Sequence, residues 1–370
     1  AWTTTPWTLP GNVALAIGDK ITYVIFSNKQ QAISDKVFYI AAKDTVEKVF
    51  GDAVVIQKEF PGVELVGLEY EPLFDVPALK SETSYKVYPA DFVTTTDGTG
   101  VVHTAVMYGE DDYNLGTALG LPKVHTVDEA GKFFGVSEEL NGKYVKAAKT
   151  EEAIIKSLED RGLLLKTEPY EHEYPFCWRC DTPLLYYAKR SWFFAVSKVK
   201  KELIANAEQI TWTPGHIKEG RFGEWLNGVR DWAISRERYW GTPIPVWTCA
   251  ACGKKDCIGS FAELRERATD ATRPAEEGFD PHRPFIDTVE LVCGCGGVMT
   301  RIPDVMDVWF DSGAMPFAQW HYPFENKKKV DDGEALPADY IAEAIDQTRG
   351  WFYTLLATAT LLGRGTPYKN

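Results

Sequence analysis

Three consecutive threonines, Thr3, Thr4 and Thr5, stand directly before Pro6 near the start of the chain. Proline biases the residue before it towards an extended conformation, and an extended run presents its side chains alternately on two faces. Uncharged hydroxyls donate and accept hydrogen bonds, which suits a sugar diol or an ester better than a phosphate or a metal. Because threonine also favours strands, a plain β-strand is the competing interpretation of this run alone.

A second stretch places an imidazole close in sequence to several carboxylates. Val101–Ala105 predicts a strand that carries His103, and Gly109 then leads into the acidic run Glu110–Asp112. A carboxylate that faces a pocket can hold an ammonium group, and a neutral histidine can orient a water or a hydroxyl. Acidic residues are also favoured in the first turn of a helix, and the leucines that follow this run predict such a helix. A purely structural role therefore stays open for the acids.

The cysteines are clustered in close pairs, and their number is odd. They are Cys177, Cys180, Cys249, Cys252, Cys257, Cys293 and Cys295. This pattern favours metal sites in a reducing compartment over disulfides. Cys249, Cys252, Cys293 and Cys295 form a set of four thiolates suited to a structural Zn²⁺ ion, although free thiols in a loop remain the alternative. Cys257 could substitute as a ligand.

Cys177 and Cys180 form only half of a metal site. We expect their partner pair to lie outside this chain, so the sequence predicts no metal there for the chain alone. A redox role for this pair is weakly supported, because no thioredoxin-like βαβ pattern surrounds it.

The bulk composition limits the classes of protein that the chain can represent. The 370 residues suggest two or three domains, and the net charge of −13 gives no general electrostatic attraction to nucleic acid. Contact with RNA would need a local basic patch or uncharged contacts. The sequence has no apolar run of about 18 residues and no secretory signal, so we expect a cytoplasmic protein without a membrane span. The first residue is not Met, and we expect an internal fragment of a longer protein.

The elements that must position these residues differ between the two halves. The predicted strands are Ile21–Phe26, Val37–Ala41, Ala53–Gln57, Gly62–Tyr70, Tyr85–Tyr88 and a strand around Asp91–Thr96. The predicted helices begin near Asp44 and, with an N-terminal cap, at Thr150. The first half is therefore a β-rich α+β domain, with a boundary between about residues 160 and 185. The second half is helical in patches, rich in tryptophan, and carries the cysteines.

Several long motifs resemble one family. Thr3–Thr8 with Asn12, Gly98–His103 and Glu110–Asp112 resemble the editing insertion of class I aminoacyl-tRNA synthetases, which the isoleucyl, valyl and leucyl members carry. Asp231–Pro245 resembles the return from this insertion into the catalytic Rossmann domain. Two further motifs, Asp304–Gly313 and Glu343–Phe352, resemble the isoleucyl members in particular.

The resemblance implies a fold of mixed α/β and α+β class. A β-rich editing domain would span residues 1–165, and residues 166–245 would return to the catalytic domain. Residues 246–300 would form a zinc-binding insertion, and residues 301–370 part of a Rossmann-type catalytic domain. The two ATP signatures of the family, His-Ile-Gly-His and Lys-Met-Ser-Lys-Ser, do not occur in this sequence.

The resemblance also implies roles in editing. Asp112 would bind the α-ammonium of a mischarged valine, and His103 would lie beside the amino-acid side chain and help to exclude isoleucine. Thr3, Thr4, Thr5 and Asn12 would line the site for the terminal adenosine and the scissile ester. A positioned water would hydrolyse the ester without a protein nucleophile. A second site is needed because one methylene allows only about 10–200-fold discrimination, for which isoleucine against valine is the usual example.

For the catalytic half, the resemblance assigns Glu343 to the aminoacyl-adenylate, and Asp346 and Gln347 to the ribose and the substrate ammonium. Trp309 and Trp351 would form the apolar wall of the isoleucine pocket, because two indoles make a rigid apolar surface. Ordinary core packing is the alternative for these two tryptophans.

The function implied is part of an enzyme that charges tRNA(Ile) with isoleucine through isoleucyl-adenylate, using ATP and Mg²⁺. This chain would hydrolyse mischarged Val-tRNA(Ile), and we expect a monomer. Two alternatives remain at this point: a fragment of a valyl-type synthetase, and a zinc-stabilised tRNA-binding module without catalytic activity.

Overall fold

The computed structural model describes residues 1–28, 37–51, 54–270, 274 and 278–370. Contacts within the chain divide it into two units, residues 1–189 and residues 190–370. Both units mix helices with small sheets. No helix in the described ranges is long and apolar enough to cross a membrane.

In the described residues of the first unit there are two three-stranded sheets and three α-helices. The strands are β1 (Ala14–Ile17), β2 (Thr22–Asn28), β3 (Tyr39–Ala42), β4 (Val54–Pro61), β5 (Lys86–Pro89) and β6 (Val101–Thr104). The helices are α1 (Lys43–Phe50), α2 (Glu110–Leu119) and α3 (Ala148–Asp160). One sheet has the order β5-β1-β6, with β1 parallel to β5 and antiparallel to β6, and the other has the order β3-β2-β4.

The sheet β5-β1-β6 positions the candidate site residues. In its register Leu15 of β1 faces His103 of β6. A 3₁₀-helix, Pro6–Gly11, leads into β1, and its buried Trp7 contributes to a core that also contains Ile154 of α3. The first residues of the chain are thereby held against the same sheet that carries His103.

Two of the predicted strands in this unit are wrong. Gly62–Tyr70 forms no strand: residues Gly62–Leu65 make a 3₁₀-helix, and Gly67 has a φ of +85°, which strand geometry does not allow. The segment around Asp91–Thr96 is a series of turns. The strands predicted around β2, β3, β4 and β5 are confirmed, except that Ala53 lies outside the described residues.

The threonine triplet does not form a strand either. Trp2 makes a single parallel bridge to Val102, and the chain then turns. The amide of Thr5 donates to Oγ1 of Thr3 at 3.0 Å, because Pro6 starts a 3₁₀-helix immediately afterwards. The helix predicted to be capped by Thr150 begins two residues earlier, so that Thr150 is buried inside α3 instead of capping it.

In its described residues, the second unit contains helices, two short two-stranded sheets and one larger sheet. Its strands are β7 (Phe193–Phe194), β8 (Trp232–Ala233), β9 (Ser235–Arg236), β10 (Val246–Cys249), β11 (Lys255–Cys257), β12 (Leu291–Val292), β13 (Val298–Arg301) and β14 (Val305–Met306). Its α-helices are α4 (Lys200–Glu208), α5 (Gly223–Asn227), α6 (Phe261–Arg267), α7 (Val308–Ala318), α8 (Lys327–Asp331) and α9 (Trp351–Leu361).

Helix α9 is buried along nearly its whole length and organises the core of this unit. It packs directly on α7, and a Cβ built on Gly313 of α7 would lie 2.7 Å from the carbonyl oxygen of Thr354. Gly313 therefore permits the close approach of the two helices. In the described residues of this unit, the parallel pairing is the single bridge between Ala338 and Tyr368, and the sheets are antiparallel.

The larger sheet has the order β11-β10-β13-β12 and a small core of its own. Trp247, Leu291 and Met299 are buried in this core, and Leu264 of α6 packs with them. Cys249 ends β10, Cys252 lies in the turn after it, and Cys293 and Cys295 lie between β12 and β13. The sheet therefore brings two distant Cys pairs together.

Candidate active site and metal centre

The first unit contains a cavity of about 390 Å³ whose wall is dominated by hydroxyl groups. Its lining includes Thr3, Thr4, Thr5, Thr8, Thr94, Thr96, Thr99, His103 and Asp112. Residues near the start of the chain and residues some hundred positions later therefore share one cavity. The described lining residues include no cysteine, serine or lysine.

The threonine wall is fixed by hydrogen bonds among its own residues. The hydroxyl oxygens of Thr3 and Thr5 lie 3.4 Å apart. Thr8 lies one turn later, in the 3₁₀-helix, and its hydroxyl donates to the carbonyl oxygen of Thr5 at 2.9 Å. These contacts hold the wall in one conformation, which reduces the entropy lost when a ligand binds.

His103 is neutral at physiological pH, and Thr8 holds its ring in place. Burial lowers the pKa of His103 to about 4. Nε2 of His103 lies 3.0 Å from Oγ1 of Thr8. When the Thr8 hydroxyl donates to the carbonyl oxygen of Thr5, Nε2 of His103 carries the hydrogen and donates it to Thr8. A neutral imidazole does not repel a cationic ligand in this cavity.

Asp112 supplies negative charge to the same cavity from the first turn of α2. Its Oδ1 accepts a hydrogen bond of 2.8 Å from the backbone amide of Ala105, which fixes the side chain against the end of β6. Burial raises the pKa of Asp112 to about 6. The carboxylate is therefore mostly ionised at pH 7. An ammonium group placed beside it would offset the free-energy penalty that desolvation imposes on the ionised form.

We expect Gly109→Ala to disturb ligand binding without unfolding the protein. A Cβ at position 109 would collide with Oδ2 of Asp112, so the carboxylate would have to leave its position. The backbone of Gly109 is extended, with a φ of −153°, and does not itself require glycine. The hydrolytic activity proposed below should fall about tenfold or more, with a change of only a few degrees in the thermal midpoint. Full activity in a folded Gly109→Ala protein would contradict this placement of Asp112.

Asn12 is held away from the cavity. It is buried beside β1, and its Nδ2 donates to the carbonyl oxygen of Ala14 at 3.0 Å. Its Oδ1 accepts from the hydroxyl of Tyr70 at 2.6 Å. The structure thus gives Asn12 contacts that position the chain entering β1, and it is not among the residues that line the cavity.

The opposite wall comes from the loop 94–100, whose contribution the sequence reasoning missed. Nζ of Lys48 in α1 donates to the carbonyl oxygen of Thr96 at 2.5 Å and lies 3.3 Å from Asp97. Gly98 has a φ of +72° and lies against the ring of Trp2. The turn signal at Asp97–Gly100 was visible in the sequence, but only the pairing of β1 with β6 shows that this turn faces the threonines.

The residues assigned to the catalytic half lie in the second unit and fall into two groups. Trp309, Gln347 and Trp351 surround Gly350: a Cβ there would lie 3.1 Å from the Trp309 ring and 2.6 Å from Oε1 of Gln347. Gln347 accepts a hydrogen bond from the amide of Trp351 at 3.0 Å and donates one of 3.2 Å to Asp346. Trp309 is 40% exposed, whereas Trp351 is partly buried and packs against the core of the second unit.

Glu343 lines a cavity of about 360 Å³ together with Trp212, Tyr340 and Phe352. A 3₁₀-helix, Ile345–Arg349, lies between Glu343 and α9. Trp309, Gln347 and Trp351 are not among the residues that line this cavity.

Four thiols meet at one end of the sheet β11-β10-β13-β12. The sulfur atoms of Cys249, Cys252, Cys293 and Cys295 all lie within 4.8 Å of one another. Sγ of Cys249 is 3.6 Å from that of Cys295, and Sγ of Cys252 is 3.7 Å from that of Cys293. A tetrahedral zinc site with Zn–S bonds of about 2.3 Å has sulfurs about 3.8 Å apart. The donor set and its spacing therefore fit Zn²⁺.

The surroundings of Cys249 favour its deprotonation, and a glycine leaves room for the thiols. The backbone N–H of Cys252 holds the pKa of the Cys249 thiol down, at about 7. The pKa of the Cys252 thiol is lowered by the backbone N–H of Lys254 but is raised overall, to about 12, by the neighbouring thiols. A Cβ at Gly297 would lie 3.1 Å from Sγ of Cys249 and 3.4 Å from Sγ of Cys295, so any larger residue there would crowd the two sulfurs. Cys257 does not belong to the group.

Cys177 and Cys180 occupy a separate, exposed turn in the first unit. Cys177 and Thr182 share a backbone hydrogen bond of 2.9 Å, and Sγ of Cys180 lies 3.0 Å from the hydroxyl of Thr182. No further cysteine, histidine or acid joins this pair into a metal-binding group in the described part of the chain.

The fold and the two sites agree with the family that the sequence matches. Residues 23–370 match the model of the class I tRNA synthetases for isoleucine, leucine, methionine and valine (I, L, M and V), and the chain belongs to this family.

Among curated proteins, the chain is 50% identical over 369 residues to an isoleucine–tRNA ligase of Thermus thermophilus. It is 48% identical over 371 residues to an isoleucine–tRNA ligase of Clostridium novyi and 47% identical over 373 residues to one of Clostridium tetani. In each comparison the match covers 100% of this chain and 34% of the relative. The chain thus spans about a third of the length of these relatives, as expected for a fragment.

Solved structures give weaker similarities. The crystal structure of GlLeuRS-CP1 is 13% identical, covers 45% of this chain and 83% of that chain, and has a TM-score of 0.33. The Plasmodium falciparum cytosolic leucyl-tRNA synthetase editing domain is 19% identical, covers 30% and 42%, and has a TM-score of 0.24. Scores this low do not establish a common fold, so nothing further follows from them.

Proposed function

We propose that this chain hydrolyses the ester of valine on tRNA(Ile), as the editing part of an isoleucine–tRNA ligase. The observation that carries the proposal is the single cavity in which the threonine wall, a neutral His103 and the carboxylate of Asp112 meet. The identity of 50% to an isoleucine–tRNA ligase supports the choice of amino acid.

Each group in the cavity has a distinct task in this reaction. Asp112 holds the α-ammonium of the amino acid as an ion pair, which places the ester carbonyl near the hydroxyls of Thr3, Thr4 and Thr5. These hydroxyls bind the ribose and the ester, and a bound water attacks the carbonyl carbon. Hydroxyl donors aimed at the developing oxyanion stabilise the transition state. The lining offers no amine or thiol nucleophile, so direct attack by water fits it best.

His103 sets the size and the polarity of the amino-acid pocket. Its ring is fixed by Thr8 at 3.0 Å, so the ring does not swing aside for a larger side chain. Valine fits beside it, whereas the additional methylene of isoleucine does not. Asn12 acts indirectly, by holding the strand that faces His103.

The longer protein, we infer, charges tRNA(Ile) with isoleucine through isoleucyl-adenylate, with ATP and Mg²⁺. Trp309 and Trp351 then face the isoleucine side chain, Asp346 and Gln347 bind the ribose and the ammonium, and Glu343 contacts the adenylate. The editing domain would comprise residues 1–165, the return segment 166–245, the zinc insertion 246–300, and a partial Rossmann domain 301–370. The protein would act as a monomer in the cytoplasm.

Zn²⁺ would be held by Cys249, Cys252, Cys293 and Cys295 and would have a structural role. Four thiolates leave no open coordination position for a substrate or a water. The ion would join the turn after β10 to the turn before β13 and so stabilise the small sheet.

The test of the main proposal compares the loss of amino acid from Val-tRNA(Ile) and from Ile-tRNA(Ile) in the presence of the folded chain. We expect valine to be released much faster than isoleucine. Equal rates would contradict editing. Hydrolysis of Thr-tRNA(Val) without hydrolysis of Val-tRNA(Ile) would indicate a valyl-type enzyme. Salt-dependent binding of tRNA with no hydrolysis would indicate a binding module.

A further inference from the structure

The hydroxyl of Tyr23 joins two backbone segments at the edge of the candidate active site. It accepts a hydrogen bond of 3.0 Å from the amide of Gly18 and donates one of 2.6 Å to the carbonyl oxygen of Gly100. Tyr23 is fully buried in β2, and burial raises the pKa of its hydroxyl, so the proton for the second bond is retained at neutral pH. Gly100 lines the cavity, whereas Tyr23 does not. Tyr23 can therefore act on the cavity through the backbone that it holds.

This bridge lies just beyond the last residue pair of β1 and β6. Continuing their antiparallel register by one residue places Gly18 opposite Gly100. The hydroxyl of Tyr23 is inserted between these two residues and so links the end of β1 to the start of β6. Because β6 is a short strand that carries His103, a bridge at the beginning of the strand also helps to fix the position of the imidazole.

The loop 94–100 is also held at the neighbouring residue. The backbone amide of Ala42, at the end of β3, donates to the carbonyl oxygen of Thr99 at 2.9 Å. A Cβ at Gly100 would lie 2.4 Å from Cβ of Ala42, so the loop approaches β3 as closely as a glycine permits. Two consecutive carbonyl groups of this loop are thus bound from outside the cavity by the sheet β3-β2-β4.

Lys48 of α1 holds the loop at a further point. Its Nζ donates to the carbonyl oxygen of Thr96 at 2.5 Å and lies 3.3 Å from a carboxylate oxygen of Asp97. Both side chains of this ion pair are exposed, and exposed pairs contribute little free energy. The buried bridge made by Tyr23 is the stronger restraint, because a buried donor or acceptor that loses its partner is costly.

We propose that Tyr23 is a positioning residue, assisted by Lys48, that fixes the loop 94–100 and the start of β6, and that this fixed wall lets the cavity reject isoleucine. The inference rests on the proposed function, because it concerns the choice between two aminoacyl esters. One methylene provides discrimination of about 10–200-fold. A wall that can yield by the size of a methylene loses part of this factor, so a site that excludes isoleucine needs a wall that is held from behind.

The first experiment measures amide hydrogen exchange by mass spectrometry in Tyr23→Phe, which keeps the ring and removes the bridge. Exchange in residues 94–104 should become about tenfold faster, because a lost buried hydrogen bond has a cost of that order. The matched control is Tyr88→Phe. It removes a hydroxyl that donates to the carbonyl oxygen of Thr83 at 2.7 Å, and neither residue lines the cavity. Exchange in residues 94–104 should be unchanged in this control. Equal exchange in wild type and Tyr23→Phe would overturn the proposal.

The second experiment measures selectivity, as the ratio of kcat/KM for Val-tRNA(Ile) to kcat/KM for Ile-tRNA(Ile). This ratio should fall about tenfold in Tyr23→Phe and stay within about twofold of wild type in Tyr88→Phe. A loss of folded protein alone would lower both rates equally and leave the ratio unchanged. An unchanged ratio together with faster exchange would therefore overturn the role in selectivity.

A third variant tests the same wall without touching the core. Lys48→Met should lower the ratio about threefold, and Lys48→Arg should retain it, because arginine keeps the charge and the donors. The matched control is Lys43→Met, which removes another exposed ion pair of α1, to Glu59 at 2.8 Å, and should leave the ratio unchanged. Equal loss in Lys43→Met and Lys48→Met would contradict the assisting role of Lys48.

The two experiments also separate this inference from the proposed function. If wild type hydrolyses neither ester, the proposed function fails and the role in selectivity fails with it. Faster exchange in Tyr23→Phe would then still support the hold of Tyr23 on the loop 94–100. If wild type releases valine selectively and Tyr23→Phe matches it in exchange and in selectivity, the proposed function is supported and only the positioning role of Tyr23 is overturned.

Discussion

Asp112→Asn is expected to lower kcat/KM for hydrolysis of the valyl ester about 10²- to 10³-fold at pH 7. Removing one partner of a desolvated ion pair costs about 3–5 kcal/mol, and the lower part of that range, about 3–4 kcal/mol, corresponds to this factor. Asparagine keeps the shape of the side chain and can still accept from the amide of Ala105, so the change isolates the charge. The measurement is release of valine from Val-tRNA(Ile) under limiting substrate.

The pH dependence gives this prediction a second, independent readout. Burial raises the pKa of Asp112 to about 6, so the ionised fraction of the free protein, and with it kcat/KM, should fall as the pH drops below about 6. In the Asp112→Asn variant, kcat/KM should not show this fall at low pH. The pKa of His103, at about 4, is too low to produce it.

Two controls exclude trivial causes of the loss. Asp111→Asn makes the same charge change at the neighbouring exposed position and should leave hydrolysis within about twofold of wild type.

The raised pKa of Asp112 means that the folded state disfavours its ionisation, so the stability associated with this group is present at low pH and is lost as the pH rises through about 6. Asp112→Asn should therefore melt no lower than wild type at pH 7. A variant that melts normally and hydrolyses normally would refute the role of Asp112.

Cys293→Ser is expected to remove about one zinc ion per chain and to lower the thermal midpoint of the second unit by about 10 °C. Cys293 is buried, and its sulfur is 3.7 Å from that of Cys252, so a hydroxyl there breaks the four-thiolate set. Zinc released by a mercurial and detected with a colorimetric indicator measures the stoichiometry, and calorimetry measures the midpoint.

The control for this prediction is Cys257→Ser, at an exposed cysteine outside the group, which should keep both the zinc and the midpoint. A strong chelator should lower the midpoint of wild type to that of Cys293→Ser and leave the variant unchanged. If the chelator leaves the wild-type midpoint unchanged, or if Cys293→Ser retains its zinc, the structural role of the metal is excluded.

Much of the candidate site could be predicted from the sequence, because turn residues, a strand pattern and an acidic helix start can each be recognised from a few neighbouring residues. The turn before β6, the strand that carries His103 and the acidic first turn of α2 each follow from local preferences. The four thiols of the metal group were also predictable, since closely spaced Cys pairs admit few other arrangements.

Other features depended on pairing between distant segments. Gly62–Leu65 has the composition of a strand, yet the backbone of Gly62 packs against Gly18, where a Cβ would strike the Gly18 carbonyl oxygen, and no strand forms there. The loop 94–100 lines the cavity because β6, which follows it, pairs with β1. Asn12 does not line the cavity, because its side-chain amide forms hydrogen bonds with Tyr70 and Ala14.

The sequence by itself therefore determined the chemical groups, the order of the motifs and the family to which the chain belongs. The tertiary structure decided which of those groups meet. Hydrogen-bonding partners and side-chain facing are set by long-range strand register, which short-range preferences do not encode. For that reason the threonines, His103 and Asp112 were visible as candidates from their local patterns, whereas the contact between His103 and Thr8 and the cavity that Glu343 lines emerged only from the folded chain.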